Sequence, residues 1–156
     1  MARPFERRSV VASLFDRLTD EEPRNSSEVP PPEWDQRERF KSSVARDLMN
    51  LLNTRRNEDD IPEEFEQVRE SVFAYGLQDF TKSPVDREAM RRSVERAIRR
   101  FEPRLSRVQV SVVDAGQFVF SFRIVGVLRV DLHSEPVVFD ADAPIESRRF
   151  RVTAER

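Results

Sequence analysis

Cysteine is absent from the 156 residues, and histidine occurs once, at His133. The first absence excludes a disulfide framework and thiolate metal sites, and the second leaves too few imidazoles for a histidine-based zinc centre. Glycine occurs only at Gly76, Gly116 and Gly126, too dispersed for a glycine-rich phosphate loop. No apolar run approaches the ~18 residues of a membrane span, and the opening MARPFERRSVVASLFDRL interleaves charge with apolar residues where a signal peptide needs a continuous core. A soluble, cytoplasmic protein without membrane insertion is expected. Lysine is nearly missing as well, with 2 residues against 25 arginines, yet 29 acidic residues bring the net charge to -2. That balance excludes binding to nucleic acid by bulk charge, so the arginines are read as local, directional groups.

Any catalysis would have to rest on carboxylates. A glycosidase pair is defined by a separation in space that sequence does not reveal, and His133 has no serine or cysteine nucleophile motif around it. No enzyme is expected, and no residue stands out as catalytic, cofactor-binding or metal-ligating.

The length suits one ordinary domain with a sizeable core. Residues 1–19 form an amphipathic segment in which Leu14, Phe15 and Leu18 share a stripe with Val10 and Val11. Residues 20–35 are acidic and carry Pro30, Pro31 and Pro32, a composition that resists helix and sheet and reads as a disordered tether. Residues 36–156 form a single α+β domain of three main helices followed by a small antiparallel sheet. Asp35 and Glu38 make a capping pattern before a helix over about 37–53, whose apolar positions are Phe40, Val44, Leu48, Leu51 and Leu52. Pro62 suits the first turn of a second helix carrying Phe65, Val68, Val72 and Phe73 and closed near Gly76. Ser83, Pro84 and Asp86 announce a third, with Val85, Ala89, Met90, Val94, Ala97, Ile98 and Phe101 on its core face, ended by Pro103. Its outer face pairs Glu88 with Arg92 and Glu95 with Arg99 at i,i+4, which reads as a solvated, ion-paired surface.

After Leu105 the period becomes two. Val108, Val110 and Val112 belong to one strand, Asp114, Ala115 and Gly116 to a three-residue turn, and Gln117 to Val130 to a second strand. That turn predicts Val112 opposite Phe118, Val110 opposite Phe120 and Val108 opposite Phe122, with Arg107 opposite Arg123 on the other face. Two opposed arginines require an acidic group nearby. Gly126 marks a bulge or a close backbone approach. Phe150 and Val152, alternating with Arg149 and Arg151, predict a terminal edge strand open to strand addition. The tripeptide Glu102, Pro103, Arg104 lies between the last helix and the sheet; it is either a plain helix stop or a rigid corner aiming an acid and a guanidinium at a partner.

Four stretches, LFDRLTD (14–20), SVARDLMNLLNTRR (43–56), SVFAYGLQDFT (71–81) and RRFEPRL (99–105), occur in this order. Together they resemble the TssE family of type VI secretion baseplate subunits, which belongs to the contractile-tail baseplate wedge proteins and sheath initiators. Gln78 stands where that family usually has proline in Gly-Leu-Pro-Asp. The resemblance implies a non-enzymatic assembly protein docked, with TssF, TssG and TssK, at the inner face of the inner membrane, on which the sheath proteins TssB and TssC begin to polymerise. It implies that Glu102, Pro103 and Arg104 contact the wedge core bundle, and it needs no cofactor. The sheath-initiating strand surface is expected at Val119, Ser121, Arg123, Val125, Phe150, Arg151 and Val152, and N-terminal docking at Leu14, Phe15 and Leu18. The alternatives are an anti-adaptor of the same fold that binds a response-regulator adaptor, and a peptidoglycan hydrolase.

Overall fold

In the computed structural model, which describes residues 33–56, 64–69, 71–80, 86–114, 116, 118–130 and 133–155, the first apolar stripe becomes the buried side of helix α1, Glu33–Asn53. Phe40, Val44, Leu48, Leu51 and Leu52 all enter the core. The helix begins upstream of the expected point, so Asp35 lies inside it and the capping pattern does not mark its start. Leu14, Phe15 and Leu18, the tether through Pro32, Pro62 and the Ser83–Pro84 signal lie outside the described residues.

The second helix is a correction. Among the described residues only one turn forms, α2, Glu66–Arg69, followed by a 3-10 turn over Val72–Ala74. Ser71 divides them: its hydroxyl donates to the Val68 carbonyl and accepts the Phe73 N–H. The stripe of Phe65, Val68, Val72 and Phe73 stays 39 to 78% exposed, so no burial stabilises a longer helix. Gly76 adopts φ +106°, and a Cβ there would sit 2.4 Å from the Thr54 carbonyl oxygen. That close approach lets the chain return to α1, where Leu77 donates to Thr54 and accepts from Arg56.

Helix α3, Arg87–Phe101, is capped by Asp86, whose carboxylate accepts the Glu88 N–H at 2.9 Å. Met90, Val94, Ala97 and Ile98 are its buried positions, and Glu102 closes it immediately before Pro103. The chain then runs through a four-stranded antiparallel meander in the order β1-β2-β3-β4. The strands are β1, Leu105–Val113, β2, Val119–Val130, β3, His133–Pro144, and β4, Arg151–Ala154. Helices α1 and α3 pack against the face bearing Val108, Val110, Phe120, Phe122, Ile124, Phe139 and Val152.

The hairpin register is a second correction. Val112 opposes Phe122 and Val110 opposes Ile124, a displacement of four residues from the three-residue turn expected, because Val113 pairs with Ser121 and not with Gln117. Four is even, so the same residues still face the core. Phe118 does not: it lies before β2 and is 79% exposed. Arg107 and Arg123 are not opposed either. Arg107 has φ +52° in a bulge between Ser106 and Gln109, and Arg123 lies opposite Asp140. Gly126 faces that bulge, where a Cβ would lie 3.4 Å from the Ser106 carbonyl oxygen.

Strand β3 has no counterpart in the expected hairpin plus edge strand. Its alternation is strict: Val137, Phe139, Ala141 and Ala143 are buried between residues of the opposite face. Pro136 and Pro144 hide the signal, yet both lie beyond the stretch of β3 that β4 covers, Phe139 to Asp142, where a missing N–H breaks no ladder.

Gly76→Ala combines a left-handed backbone with a clash against Thr54. A loss of about 1–3 kcal/mol is expected, read as a lower urea midpoint with an unchanged slope.

Candidate functional site

The corner between α3 and β1 is built around a buried carboxylate. Glu102 is 4% exposed, and burial of an acid demands a paired, hydrogen-bonded partner. Its Oε1 accepts from the Arg104 Nε at 2.6 Å and from the Arg104 N–H at 3.2 Å, while Oε2 accepts from Nη2. The same guanidinium donates to Asp47 Oδ2 at 2.6 Å and lies over the Phe40 ring, 5.8 Å from its centroid. Arg104 therefore joins α1 to the corner through two acids. Pro103, between them in sequence, is exposed.

Tyr75 and Phe101 meet edge to face, with centroids 5.3 Å apart. With Asp47, Leu51, Glu102, Pro103 and Arg104 they line an open cleft of about 380 Å³. Burial works to lower the Arg104 pKa, but the hydrogen bonds and charges of Glu102 and Asp47 outweigh it and the net shift is upward. Burial raises the Tyr75 phenol above its ordinary 10.0, helped by the negative charges of Asp47 and Glu102. The cleft thus holds a neutral phenol beside a fixed guanidinium, a surface able to recognise another protein's polar groups. Among the described residues no cluster of three or more histidines, cysteines or acids could hold a metal ion, and no helix is long and apolar enough to cross a membrane.

The strand residues fall into two groups. Val119, Ser121, Arg123 and Val125 lie on β2, which is interior to the sheet and pairs with β1 and β3; the strand has no free edge to lend. Ser121 is buried and donates to Asp142, whereas Arg123 and Val125 are exposed on the open face. Arg123 meets Asp140 at 3.0 Å and Glu155 at 3.8 Å, so its acidic partners come from this chain. Phe150 and Val152 are buried core residues, and Arg151 alone of that group is exposed. Strand β4 does lie at an edge, as the alternation predicts.

The expected pairs on α3 are present, Glu88 with Arg92 at 3.5 Å and Glu95 with Arg99 at 2.6 Å. They are part of a larger device that sequence reasoning missed. Arg99 Nη2 donates to the Val108 carbonyl at 2.8 Å, Arg91 Nη1 to the Val110 carbonyl at 3.0 Å, and Arg87 Nη2 to the Gly116 carbonyl at 2.8 Å. Glu95 also holds Arg91 at 2.6 Å. The available signal was the recurrence of Arg, Arg, Glu, Arg every four residues from position 87, which places them on one side of a helix.

The sequence model of the family described as baseplate wedge protein gp25 matches residues 38–133, more than half of the chain. The matched stretch includes most of α1 and all of α3, the Glu102–Arg104 corner, β1 and β2. No curated protein and no solved structure matches the chain.

Arg104→Ala leaves the Glu102 carboxylate buried without its guanidinium and is expected to cost about 3 kcal/mol of stability. The double change Glu102→Leu with Arg104→Met removes both charges and should cost less, an order that urea unfolding of the two variants reads. Tyr75 is the sole tyrosine, so tyrosinate absorbance reports it alone, with a midpoint above 10 that Asp47→Asn shifts downward. Because its pKa is raised on folding, the associated stability is complete below pH about 10 and is lost as pH climbs through the folded value.

Proposed function

The chain belongs to the baseplate wedge protein gp25 family, structural components of contractile-tail baseplates, and from that premise we propose that it is the TssE-type subunit of a type VI secretion system. In this reading it binds TssF and TssG in the wedge, beside TssK, at the inner face of the inner membrane. Its sheet then starts polymerisation of the TssB–TssC sheath. The observation that carries the reading is the family match across the Glu102–Arg104 corner, together with the ordered motifs that surround it.

The wedge contact falls on the outer surface of that corner. Glu102 and half-buried Arg104 hold the turn in shape, and exposed Pro103 with the open side of the guanidinium meets the core bundle. Pre-organisation favours such a contact, since neither charged side chain has to be ordered on binding. Leu14, Phe15 and Leu18 serve as a second docking segment on the acidic tether of residues 20–35. Assembly chemistry of this kind requires no cofactor.

Pro103→Asp tests the contact without touching the buried pair. It should leave the thermal midpoint near that of the wild type and weaken co-purification with TssF and TssG by about tenfold or more, as for a substitution inside an interface hot spot. Undiminished binding by a folded Pro103→Asp protein would remove the corner from the wedge interface.

A further inference from the structure

Helix α3 carries two rows of charge, each stepping four residues at a time, and the chain neutralises only one of them. Arg87, Arg91, Glu95 and Arg99 form the first row. Its guanidinium groups are committed within the molecule: Arg91 and Arg99 share the Glu95 carboxylate at 2.6 Å each and donate to the Val110 and Val108 carbonyls, and Arg87 donates to the Gly116 carbonyl. Glu88, Arg92, Arg96 and Arg100 form the second row, and all four are exposed.

Along the second row the compensating acids run out. The Glu88 carboxylate holds Arg91 at 2.8 Å, which leaves Arg92 a contact of 3.5 Å to the same oxygen and one of 4.0 Å to Asp86. Among the described residues Arg96 makes no ion pair or hydrogen bond, and Arg100 meets no acid; it lies over the Phe101 ring, 5.3 Å from the centroid. Between the rows runs an open groove of about 430 Å³, lined by Arg91, Arg92, Glu95, Arg96, Arg99 and Arg100. The single acid in that groove is already shared by two arginines. The C-terminal half of a helix tolerates unpaired cations because the backbone dipole is negative there, so the fold can hold this charge ready.

Spacing and charge together define the occupant. Residues four apart on a helix rise about 6 Å per step, so Arg92, Arg96 and Arg100 span about 12 Å along α3. Carboxylates at i, i+4 and i+8 of another helix repeat at the same interval, and laying the two rows side by side crosses the helix axes at roughly 50°. Each guanidinium can then present its planar two-nitrogen edge to one carboxylate. Nucleic acid fits this surface less well. Asp86 and Glu88 place negative charge at the N-terminal end of the row, no aromatic ring lines the groove to stack on a base, and the net charge of the chain is -2.

We propose that the Arg92–Arg96–Arg100 row of α3 is a docking surface for an acidic α-helix of a partner protein, one that carries carboxylates at i, i+4 and i+8. The proposal rests on the charges of this chain and does not depend on the type VI assignment.

The test uses the full chain and a fluorescently labelled, end-capped, alanine-based helical peptide with glutamates at i, i+4 and i+8, followed by anisotropy. Saturable binding is expected at an ionic strength of about 0.05 M, and it should disappear toward about 0.5 M as exposed charges are screened. Arg96→Gln with Arg100→Gln should weaken it by about tenfold, the combined loss of two exposed ion pairs, and leave the thermal midpoint unchanged. Arg149→Gln with Arg151→Gln removes the same net charge elsewhere on the surface and should leave binding unchanged.

Equal binding of a peptide whose three glutamates point to different sides of the helix would overturn the row as the site, as would full binding by the folded Arg96→Gln, Arg100→Gln protein. Absence of saturable binding, or tighter binding to duplex DNA or to phosphatidylglycerol vesicles, would overturn an acidic helix as the occupant. The mixture contains no TssF, TssG or sheath protein. Failure here therefore leaves the wedge assignment standing, and undiminished wedge binding by Pro103→Asp leaves this surface standing.

Discussion

A buried carboxylate that must be neutralised governs the way the helices join the sheet. Glu102 ends α3 at a point the core covers, and its charge is tolerable there only because Arg104 closes back on it within two residues. The guanidinium then has a donor to spare, which it gives to Asp47 on α1. That contact links the residue before β1 to a helix position 57 residues earlier in the chain. The cleft with Tyr75 and Phe101 follows from that junction. The corner is at once a support of the fold and a candidate interface, because the side chains that stabilise it also shape what a partner would meet.

The excess of arginine over lysine acquires a physical meaning at several sites. Arg104 makes a forked contact with one acid and reaches a second. Arg91 and Arg99 bridge a helix carboxylate to strand carbonyls. Arg123 presents two nitrogens to Asp140. Each contact uses the planar, multi-donor geometry that a lysine ammonium lacks. The net charge near zero is consistent with these internal pairings. Arg151, at the sheet edge opposite Asp142, makes no ion pair among the described residues.

The helices show which parts of the structure are local. The stripes of α1 and α3 were legible because burial on one side repeats at the helical period, and the core contains the residues those stripes named. Phe65, Val68, Val72 and Phe73 follow the same period, yet no described element covers them, and without burial the helix stops after one turn. The hairpin divides similarly. Which residues of β1 and β2 face inward was legible from alternation, whereas the register, Val112 opposite Phe122, is a matter of how the two strands pair, which alternation leaves open by any even number of residues. Strand β3 escaped notice because two prolines and two aspartates masked an otherwise regular alternation.

The sequence by itself determined the absence of thiol chemistry, the scarcity of imidazole, the two long helices with their inner faces, the terminal edge strand, and the ordered motifs that lead to a baseplate wedge family. These follow from composition and from short-range periodicity, which a chain carries wherever it folds. Only the tertiary structure decided that Glu102 and Arg104 bind one another and Asp47, that β2 is interior, and that Arg91 and Arg99 of α3 reach the carbonyls of β1. Those outcomes depend on distances between side chains far apart in sequence. Such distances are set when the helices pack on the sheet and buried charges and backbone groups take the partners within reach.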